Sequence, residues 1–237
     1  HFNQRPVDAL RFHNTGQILD LPKMREGVLQ ALSQQGARVE KITARALESR
    51  DGKAAVRLAD GALLNADRVV VAAGIGSSSL LRAFEGSIPL IAERGYHLDA
   101  AHTSASAGGD LAPVAFEDRS VIVTRFASTV RIAGFTEFSQ ARAKPDARKW
   151  QRLAHHAREL GVPMGQDPAA WVGSRPTLPD YLPAIGKSQR ASNVVYAFGH
   201  QHLGVTLAAL TGELVASLAC DADPAVDLRP LHLDRFQ

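Results

Sequence analysis

The sequence predicts a mixed α/β fold, and three observations point to it. An uninterrupted apolar run at Val69–Ala73 is typical of a strand that is buried on both faces of a parallel sheet. A glycine turn and a short helical pattern follow this run, which is the order of an α/β unit. A second apolar run, Val194–Phe198, again precedes glycines and a helical pattern. With 237 residues, 45% of them hydrophobic, the chain can bury a substantial core.

The first element is a helix. Asp20 precedes Pro22 and apolar residues at helical spacing, and Gly36 follows them, so the pattern predicts a helix with proline in its first turn and glycine after its end. Short strands and tight turns come next. They are predicted at Arg38–Glu48, Asp51-Gly52, Ala54–Leu58, Asp60-Gly61 and Leu63-Leu64. After the apolar run at Val69–Ala73, the serines Ser77–Ser79 can cap a short helix.

The middle of the chain has a different pattern, which favours antiparallel strands. The segments "IPLIAERGYHLDA", "RSVIVTRF" and "TVRIAGFTEF" alternate as strands do, and Ala127-Ser128 joins the last two. The small residues of Ser104–Asp110 predict an exposed loop. Asp146–Leu160 has apolar residues at helical spacing and is expected to be an amphipathic helix.

These segments predict two interleaved domains. An α/β domain is formed by residues 20–86 and 171–221, and an antiparallel-sheet domain by residues 87–170 together with residues 1–19. Residues 222–237 are predicted to be a C-terminal tail.

Composition excludes several function classes. Lys and Arg (27) exceed Asp and Glu (24) by only 3, which is no nucleic-acid footprint. The single cysteine, Cys220, excludes an internal disulfide and is expected to be an inert core thiol. The nine histidines lack metal-site spacing, so no metal site is expected. No apolar run approaches the roughly 18 residues of a transmembrane segment. We expect a cytoplasmic protein, either free or peripheral to the inner membrane.

The stretch "GHQHLGVTLAALTGELVASL" contains the first candidate site. Its leucines form one helical stripe and predict a buried helix. Gly199 and Gly204 do not serve that core, because glycine is chosen where the backbone must bend or where something comes close. Free N–H groups at the helix start suit an anion or a group that becomes anionic. The alternative is a tight turn in which His200 and His202 are incidental.

The stretch "GSRPTLPDYLPAIG" contains the second candidate site. Its three prolines hold the backbone extended, so that Arg175 is fixed in position. A fixed guanidinium matches a carboxylate with two parallel hydrogen bonds. The alternative is a structural ion pair, for instance with Asp180. A third motif, Gly74-x-Gly76-x-x-Ser79, is similar to a dinucleotide-binding turn, although serine replaces the third glycine.

Taken in order, these segments resemble the FAD-dependent D-amino-acid oxidase superfamily, and most closely its D-amino-acid dehydrogenase-like branch, which includes D-hydroxyproline dehydrogenases. The resemblance covers about residues 10 to 221. It rests on "LRFHNTGQILDLPKMREGVLQAL", "NADRVVVAAGIGSSSL", "IPLIAERGYHL", "VRIAGFTEF", "GSRPTLPDYLPAIG" and "FGHQHLGVTLAALTGELVASL". It implies a discontinuous FAD-binding Rossmann-like domain with an antiparallel-sheet substrate domain.

The resemblance also implies the roles of the site residues. Arg175 pairs with the carboxylate of a small amine substrate, and Tyr96 or His97 closes the substrate pocket; with His200 these form the candidate catalytic set. The helix start after Gly204 faces the flavin pyrimidine ring. The implied flavin contacts are Ala73, Gly74, Ile75, Gly199, His200, Leu203, Gly204, Val205 and Thr206. The implied reaction is hydride transfer from a D-amino acid or a related secondary amine to flavin N5.

One departure from the family pattern concerns the nucleotide half of FAD. The family begins with a strand, G-x-G-x-x-G and a helix, followed by an acidic residue for the ribose, and this chain has none of them. We therefore expect the FAD-binding domain to be incomplete, with an N-terminal half or a nucleotide-binding subunit as its partner. The alternative function is a non-catalytic partner or binding subunit.

Overall fold

The computed structural model describes residues 2–3, 6–101 and 112–236, so the predicted loop Ser104–Asp110 lies outside the described residues. The chain forms two compact units. Unit 1 consists of His1–Glu40, Gly95–Glu137 and Ala143–Gly173. Unit 2 consists of Lys41–Arg94, Phe138–Arg142 and Ser174–Gln237. This division differs from the predicted domains, because residues 20–40 belong to unit 1 and residues 222–237 belong to unit 2.

Unit 2 begins with an antiparallel sheet of three short strands. These are β1 (Ala44–Arg50), β2 (Lys53–Leu58) and β3 (Leu63–Asn65), in that order. The predicted turn between β1 and β2 is confirmed: Asp51 and Gly52 both have positive φ, as a two-residue hairpin turn requires. The first strand begins at Ala44, later than the predicted Arg38, and Leu47 and Ala54 carry the sheet's contacts with the core.

A second sheet forms the centre of unit 2, in the order β10 (Ala184–Lys187), β11 (Val194–Phe198) and β4 (Val69–Val71). β11 is antiparallel to β10 and parallel to β4. The central strand β11 is buried along its whole length, as predicted. The expectation of burial on both faces is wrong for β4, since Val70 is 46% exposed.

The two predicted helices that follow the apolar strands are present in unit 2. A short 3-10 helix at Gly74–Gly76 leads from β4 into α2 (Ser77–Glu85). The later helix, α4 (Ala208–Ala219), packs Leu214 and Leu218 against β10 and β11. Cys220 is its C-cap and is exposed, so the prediction of a core thiol is wrong.

The last residues of the chain are part of the core of unit 2. Leu228 and Leu233 are buried, and two short 3-10 helices lie at Arg229–Leu231 and Leu233–Phe236. The Leu233 N–H donates to the buried Tyr196 hydroxyl at 3.1 Å, and burial raises the pKa of Tyr196 to about 12. Residues 228–236 are therefore packed and bonded into unit 2.

The third sheet has the order β6-β7-β8-β5-β9. Its strands are β5 (Ile91–Ala101), β6 (Val114–Phe116), β7 (Val121–Arg125), β8 (Thr129–Ser139) and β9 (Ala169–Thr177). β6, β7 and β8 pair antiparallel, and the Phe126 N–H donates to the Thr129 carbonyl in the predicted turn. The boundary between the units falls within β5, β8 and β9.

Two helices belong to unit 1. The predicted amphipathic helix is α3 (Ala147–Leu160), whose Leu153, Ala157 and Leu160 are fully buried against the sheet. The first helix, α1 (Leu21–Gln34), is confirmed with Asp20 as N-cap, because the Asp20 carboxylate accepts from Lys23 N–H at 2.9 Å. None of the residues of α1 is buried. Within the described residues, no helix is both long and apolar enough to cross a membrane.

Candidate functional site

The carboxyl ends of β4 and β11 lie side by side in unit 2. The two strands are parallel with Val71 opposite Tyr196, so the segments after each strand leave the same edge of the sheet. In open α/β sheets, ligands bind outside the carboxyl ends of parallel strands. The predicted cofactor residues Ala73–Ile75 and Gly199–Thr206 follow these two strands, and the structure therefore brings both groups to one edge.

The turn after β4 is tight and partly closed by its own hydrogen bonds. The Ala73 N–H donates to Ser77 Oγ at 3.1 Å, and the Gly76 N–H donates to the Ala73 carbonyl at 3.0 Å. Gly74 has φ of 55°, and no heavy atom of the described residues lies within 4 Å of a Cβ added there. Gly74 and Ile75 thus remain accessible to a ligand, whereas the Ala73 N–H is already bonded.

The turn after β11 needs glycine at its first position. Gly199 has φ of 85°, and an added Cβ would lie 2.8 Å from Leu178 Cδ1. The backbone of His200 pairs with Thr177, and the Gln201 N–H donates to the Pro176 carbonyl at 3.1 Å. These contacts place the end of β9 beside the glycine turn, and Arg175 lies two residues before the bridging Thr177.

His200 has a structural partner in this turn. Its Nε2 lies 3.0 Å from Thr211 Oγ1, a residue in the first turns of α4. Burial of the ring lowers the pKa of His200, which favours the neutral imidazole. The predicted catalytic residue His200 therefore connects the turn to α4 through its side chain.

The segment from Gln201 to Leu207 is a series of turns, and the predicted helix start is wrong: α4 begins at Ala208. Within the described residues, no acceptor is present for the backbone N–H groups of Gly204, Val205 and Thr206. The side-chain nitrogen of Gln201 is also buried without a partner among these residues. The three backbone N–H groups belong to exposed residues and are thus available to a ligand.

The predicted buried leucine stripe is only half correct. Leu214 and Leu218 are buried, whereas Leu203 is 42% and Leu210 is 47% exposed. The nearby Val205 is 51% exposed. The first part of the stripe therefore faces outward, next to the unbonded N–H groups.

Gly204 is a glycine that this fold does not require. Its backbone is not in the left-handed region, and the nearest heavy atom to an added Cβ is His200 Cβ at 3.8 Å. An alanine side chain would fit without any movement. The backbone at Gly204 therefore borders open space.

Arg175 lies on β9, because the predicted proline-rich loop is a strand up to Thr177. Proline is tolerated there because β9 is the edge strand of its sheet. Arg175 Nη1 lies 3.5 Å from Glu93 Oε1, and the other Glu93 oxygen accepts from Thr177 Oγ1 at 2.9 Å. Asp180, the partner suggested by the sequence, instead pairs with Arg235 at 2.6 Å.

Tyr96 and His97 lie in unit 1 and point to opposite faces of β5, as consecutive strand residues do. Tyr96 is 1% exposed. Its hydroxyl bonds to Glu137 Oε1 at 2.9 Å and accepts from the Asp146 N–H at 3.1 Å, while its ring packs edge-on against Trp150. Tyr96 is therefore a core residue of unit 1, with its hydroxyl already hydrogen-bonded.

His97 lies in a more open environment. Its ring stacks on Trp171 with 4.6 Å between centroids, and its Nε2 lies 3.5 Å from Asp99 Oδ2. Burial raises the pKa of Asp99, but hydrogen bonds of 2.7 and 2.8 Å from Arg131 outweigh this effect and hold that pKa below its usual value. Trp171 is half exposed. The imidazole of His97 is thus oriented by the ring of Trp171 on one side and by the carboxylate of Asp99 on another.

Sequence reasoning missed Glu93, Thr177 and Trp171. Glu93 stands in a quoted segment, and a carboxylate within a predicted strand needs a partner if that strand is buried. The sequence does not identify that partner, because Arg175 lies on another strand. Trp171 directly precedes the proline-rich segment and shows no pattern of its own.

Comparisons with known proteins identify the family of this chain. Residues 2–218 match the DAO family, described as FAD dependent oxidoreductase. The chain is 31% identical over 206 residues to the D-amino-acid oxidase of Bradyrhizobium diazoefficiens, covering 85% of this chain and 48% of that protein. It is 34% identical over 192 residues to the D-amino acid dehydrogenase of Methylobacterium radiotolerans, covering 78% and 44%. The chain thus spans about half the length of these curated relatives.

Solved structures share the fold. Glycine oxidase from Geobacillus kaustophilus superposes with a TM-score of 0.76 at 23% identity, covering 90% of this chain and 57% of the other. L-proline dehydrogenase from P. horikoshii gives a TM-score of 0.77 at 15% identity, with 90% and 59% coverage. The predicted mixed α/β fold class and the resemblance to the D-amino-acid oxidase superfamily are confirmed. The chain belongs to the DAO family of FAD-dependent oxidoreductases.

Proposed function

We propose that this chain supplies the flavin-ring side and the carboxylate-binding arginine of an enzyme that oxidises a D-amino acid or a related secondary amine. The observation that carries the proposal is the carboxyl edge of β4 and β11. Two glycine turns meet there, one of them with unbonded N–H groups at Gly204, Val205 and Thr206. When bound, the flavin supplies the acceptor for the hydride removed from the substrate α-carbon.

The residues at this edge fit such a ring. Gly204 leaves space that a side chain would fill, and the exposed Leu203 and Val205 offer apolar contact. Backbone N–H donors next to that space stabilise negative charge without any reorganisation. His200 keeps the turn attached to α4 by its contact with Thr211. These are positioning and electrostatic roles, and none of them needs a side-chain base.

The position of Arg175 supports a substrate that carries a carboxylate group. Its side chain is 36% exposed and lies on the strand whose end pairs with the glycine turn. The Glu93 contact at 3.5 Å is longer than a charge-assisted hydrogen bond, so guanidinium donors remain for a second carboxylate. The curated relatives named as D-amino-acid oxidase and dehydrogenase favour an amino acid as its source.

We also propose that a complementary segment binds the nucleotide half of FAD. β4 is a parallel strand at the edge of its sheet, and Val70 on this strand is exposed. Parallel strands are normally covered on both faces. A further strand pairing with β4 would cover this edge and would extend the sheet on which cofactor turns are usually built.

The experiment is a flavin titration. The chain is mixed with FAD, alone and together with the N-terminal part of the Bradyrhizobium diazoefficiens relative, and the absorption near 450 nm is followed after anaerobic addition of D-proline or D-alanine. We expect retained FAD in the complemented sample and bleaching by at least one of these amino acids. Arg175→Lys should raise the required substrate concentration by about 10- to 100-fold, because one point charge replaces a two-pronged donor. Arg229→Lys, which removes an exposed guanidinium paired with Asp227, serves as the matched control.

The outcomes separate the candidate functions. A complemented sample that never retains FAD would contradict the flavin site. Retained FAD that no amino acid or secondary amine bleaches would contradict the enzymatic role and would favour a non-catalytic binding subunit.

A further inference from the structure

Glu93 is a buried carboxylate on β5 with two partners on the neighbouring strand β9. It is 6% exposed, and its Oε2 accepts a hydrogen bond of 2.9 Å from Thr177 Oγ1. Thr177 is itself 1% exposed. A buried carboxylate must be paired or hydrogen-bonded, and the hydroxyl of Thr177 fixes one of its two oxygens in place.

The second oxygen of Glu93 faces Arg175. The distance from Oε1 to Nη1 is 3.5 Å, and the structure shows no other ion pair or hydrogen bond of Arg175 in the described part of the chain. The arginine side chain is 36% exposed, whereas that of Glu93 is 8% exposed. A buried carboxylate therefore lies beside a more accessible guanidinium.

We propose that Glu93, held by Thr177, is a positioning residue that orients the guanidinium of Arg175 for the carboxylate of the substrate. This inference rests on the proposed function, because it names what prepares Arg175 for binding. Arginine has many rotamers, and only some of them can bind a carboxylate. The affinity for the ligand falls in proportion to the fraction of time that the side chain spends in a competent rotamer. A fixed anion at one end of the guanidinium selects one orientation and leaves the remaining donors accessible.

The length of the contact shows whether Glu93 orients Arg175 or competes with the substrate carboxylate for it. A carboxylate that saturated Arg175 would form two short parallel hydrogen bonds, as Glu48 does with Arg57, where Nε and Oε1 are 2.7 Å apart. The shortest distance between the Glu93 carboxylate and the Arg175 guanidinium is 3.5 Å, and the other oxygen of Glu93 accepts a hydrogen bond from Thr177. Glu93 is therefore close enough to orient Arg175 and too far away to occupy it.

The test is nuclear magnetic resonance of the arginine guanidinium N–H groups in the full chain, including the Nη hydrogens that face Glu93, with the Arg175 signal assigned by its loss in Arg175→Lys. We expect Arg175 to give a signal protected from solvent exchange. That protection should be lost in Glu93→Gln and in Thr177→Val, and Thr177→Ser, which keeps the hydroxyl, should restore it. Glu48→Gln is the matched control, since it removes an Arg–Glu pair on the β1–β2 hairpin. The amide spectrum of each variant reports whether the chain is folded.

The second readout is D-proline binding to the FAD-loaded, complemented protein, measured in the wild type and in Glu93→Gln. The expected change is about tenfold weaker binding, since the ion-pair contact with Glu93 no longer holds Arg175 in the competent geometry. Equal or tighter binding by folded Glu93→Gln, or an unchanged Arg175 signal, would overturn the positioning role. If the signal is lost in Glu93→Gln but the wild type ignores D-proline and D-alanine, the positioning role is supported and the proposed substrate fails.

Discussion

The imidazole Nε2 of His200 lies 3.0 Å from Thr211 Oγ1, and this contact joins the turn after β11 to the helix that follows it. The ring is half-buried, and its burial disfavours the protonated form. The turn that carries the unbonded N–H groups is therefore held by a histidine whose burial lowers its pKa and favours the neutral form.

The first prediction concerns the pH dependence of stability. The pKa of His200 is lowered in the folded chain, so the unfolded state binds more protons between the folded pKa and the ordinary value of about 6.5. The stabilisation is complete above that ordinary value and is lost as the pH falls through the folded pKa. Urea denaturation from pH 8 to 5 should show this decline, and His200→Gln should make it shallower. His202→Gln, an exposed neighbour, should behave like the wild type; a slope equal in all three proteins would contradict the prediction.

The second prediction compares two glycines of the same turn. Gly199→Ala should lower the free energy of unfolding by about 1–3 kcal/mol, because its positive φ and the nearby Leu178 penalise a side chain. Gly204→Ala should leave stability unchanged or slightly higher, since an added Cβ meets nothing closer than 3.8 Å. Gly204→Ala should nevertheless weaken FAD retention by the complemented protein. Thermal melts and flavin titration check both halves, and undiminished FAD retention would remove Gly204 from the cofactor site.

The third prediction concerns a buried amide that joins separate segments of unit 2. Asn193 is 1% exposed; its side chain accepts from the Ala54 N–H at 2.7 Å and donates to the carbonyls of Ala54 and Ala66 at 3.0 and 3.1 Å. Asn193→Ala would leave these backbone groups unsatisfied, and we expect a loss of about 2–4 kcal/mol in the free energy of unfolding. Exposed Ser192→Ala is the control, with a change within about 0.5 kcal/mol. A similar small change for Asn193→Ala in urea denaturation would show that the network contributes little.

The fourth prediction concerns the edge of β4. A parallel edge strand with an exposed valine is a template for association. The isolated chain should therefore self-associate with increasing concentration, and Val70→Lys should shift it towards the monomer in light scattering after gel filtration. Ile122→Lys is the control, because Ile122 is equally exposed on β7, a strand paired on both sides. If both substitutions act alike, general hydrophobicity rather than the open edge drives the association.

The sequence by itself determined most of the elements. The apolar run at β11 has the bounds found in the structure, and the helical spacing of α3 and of α1, with Pro22 in its first turn, was readable in the same way. These signals are local, because strand alternation, helical spacing and caps depend on residues a few positions apart. The family resemblance was likewise carried by short segments in a fixed order.

The tertiary structure alone decided which side chains meet and which remain accessible. Arg175 pairs with Glu93 rather than with the nearby Asp180, and Tyr96 is buried with its hydroxyl hydrogen-bonded. The exposure of Val70 and Leu203 reversed the expectation from their apolar patterns. An apolar pattern shows that a face can be buried, but burial and ion pairing depend on the elements that pack against it, and these lie far away in the sequence.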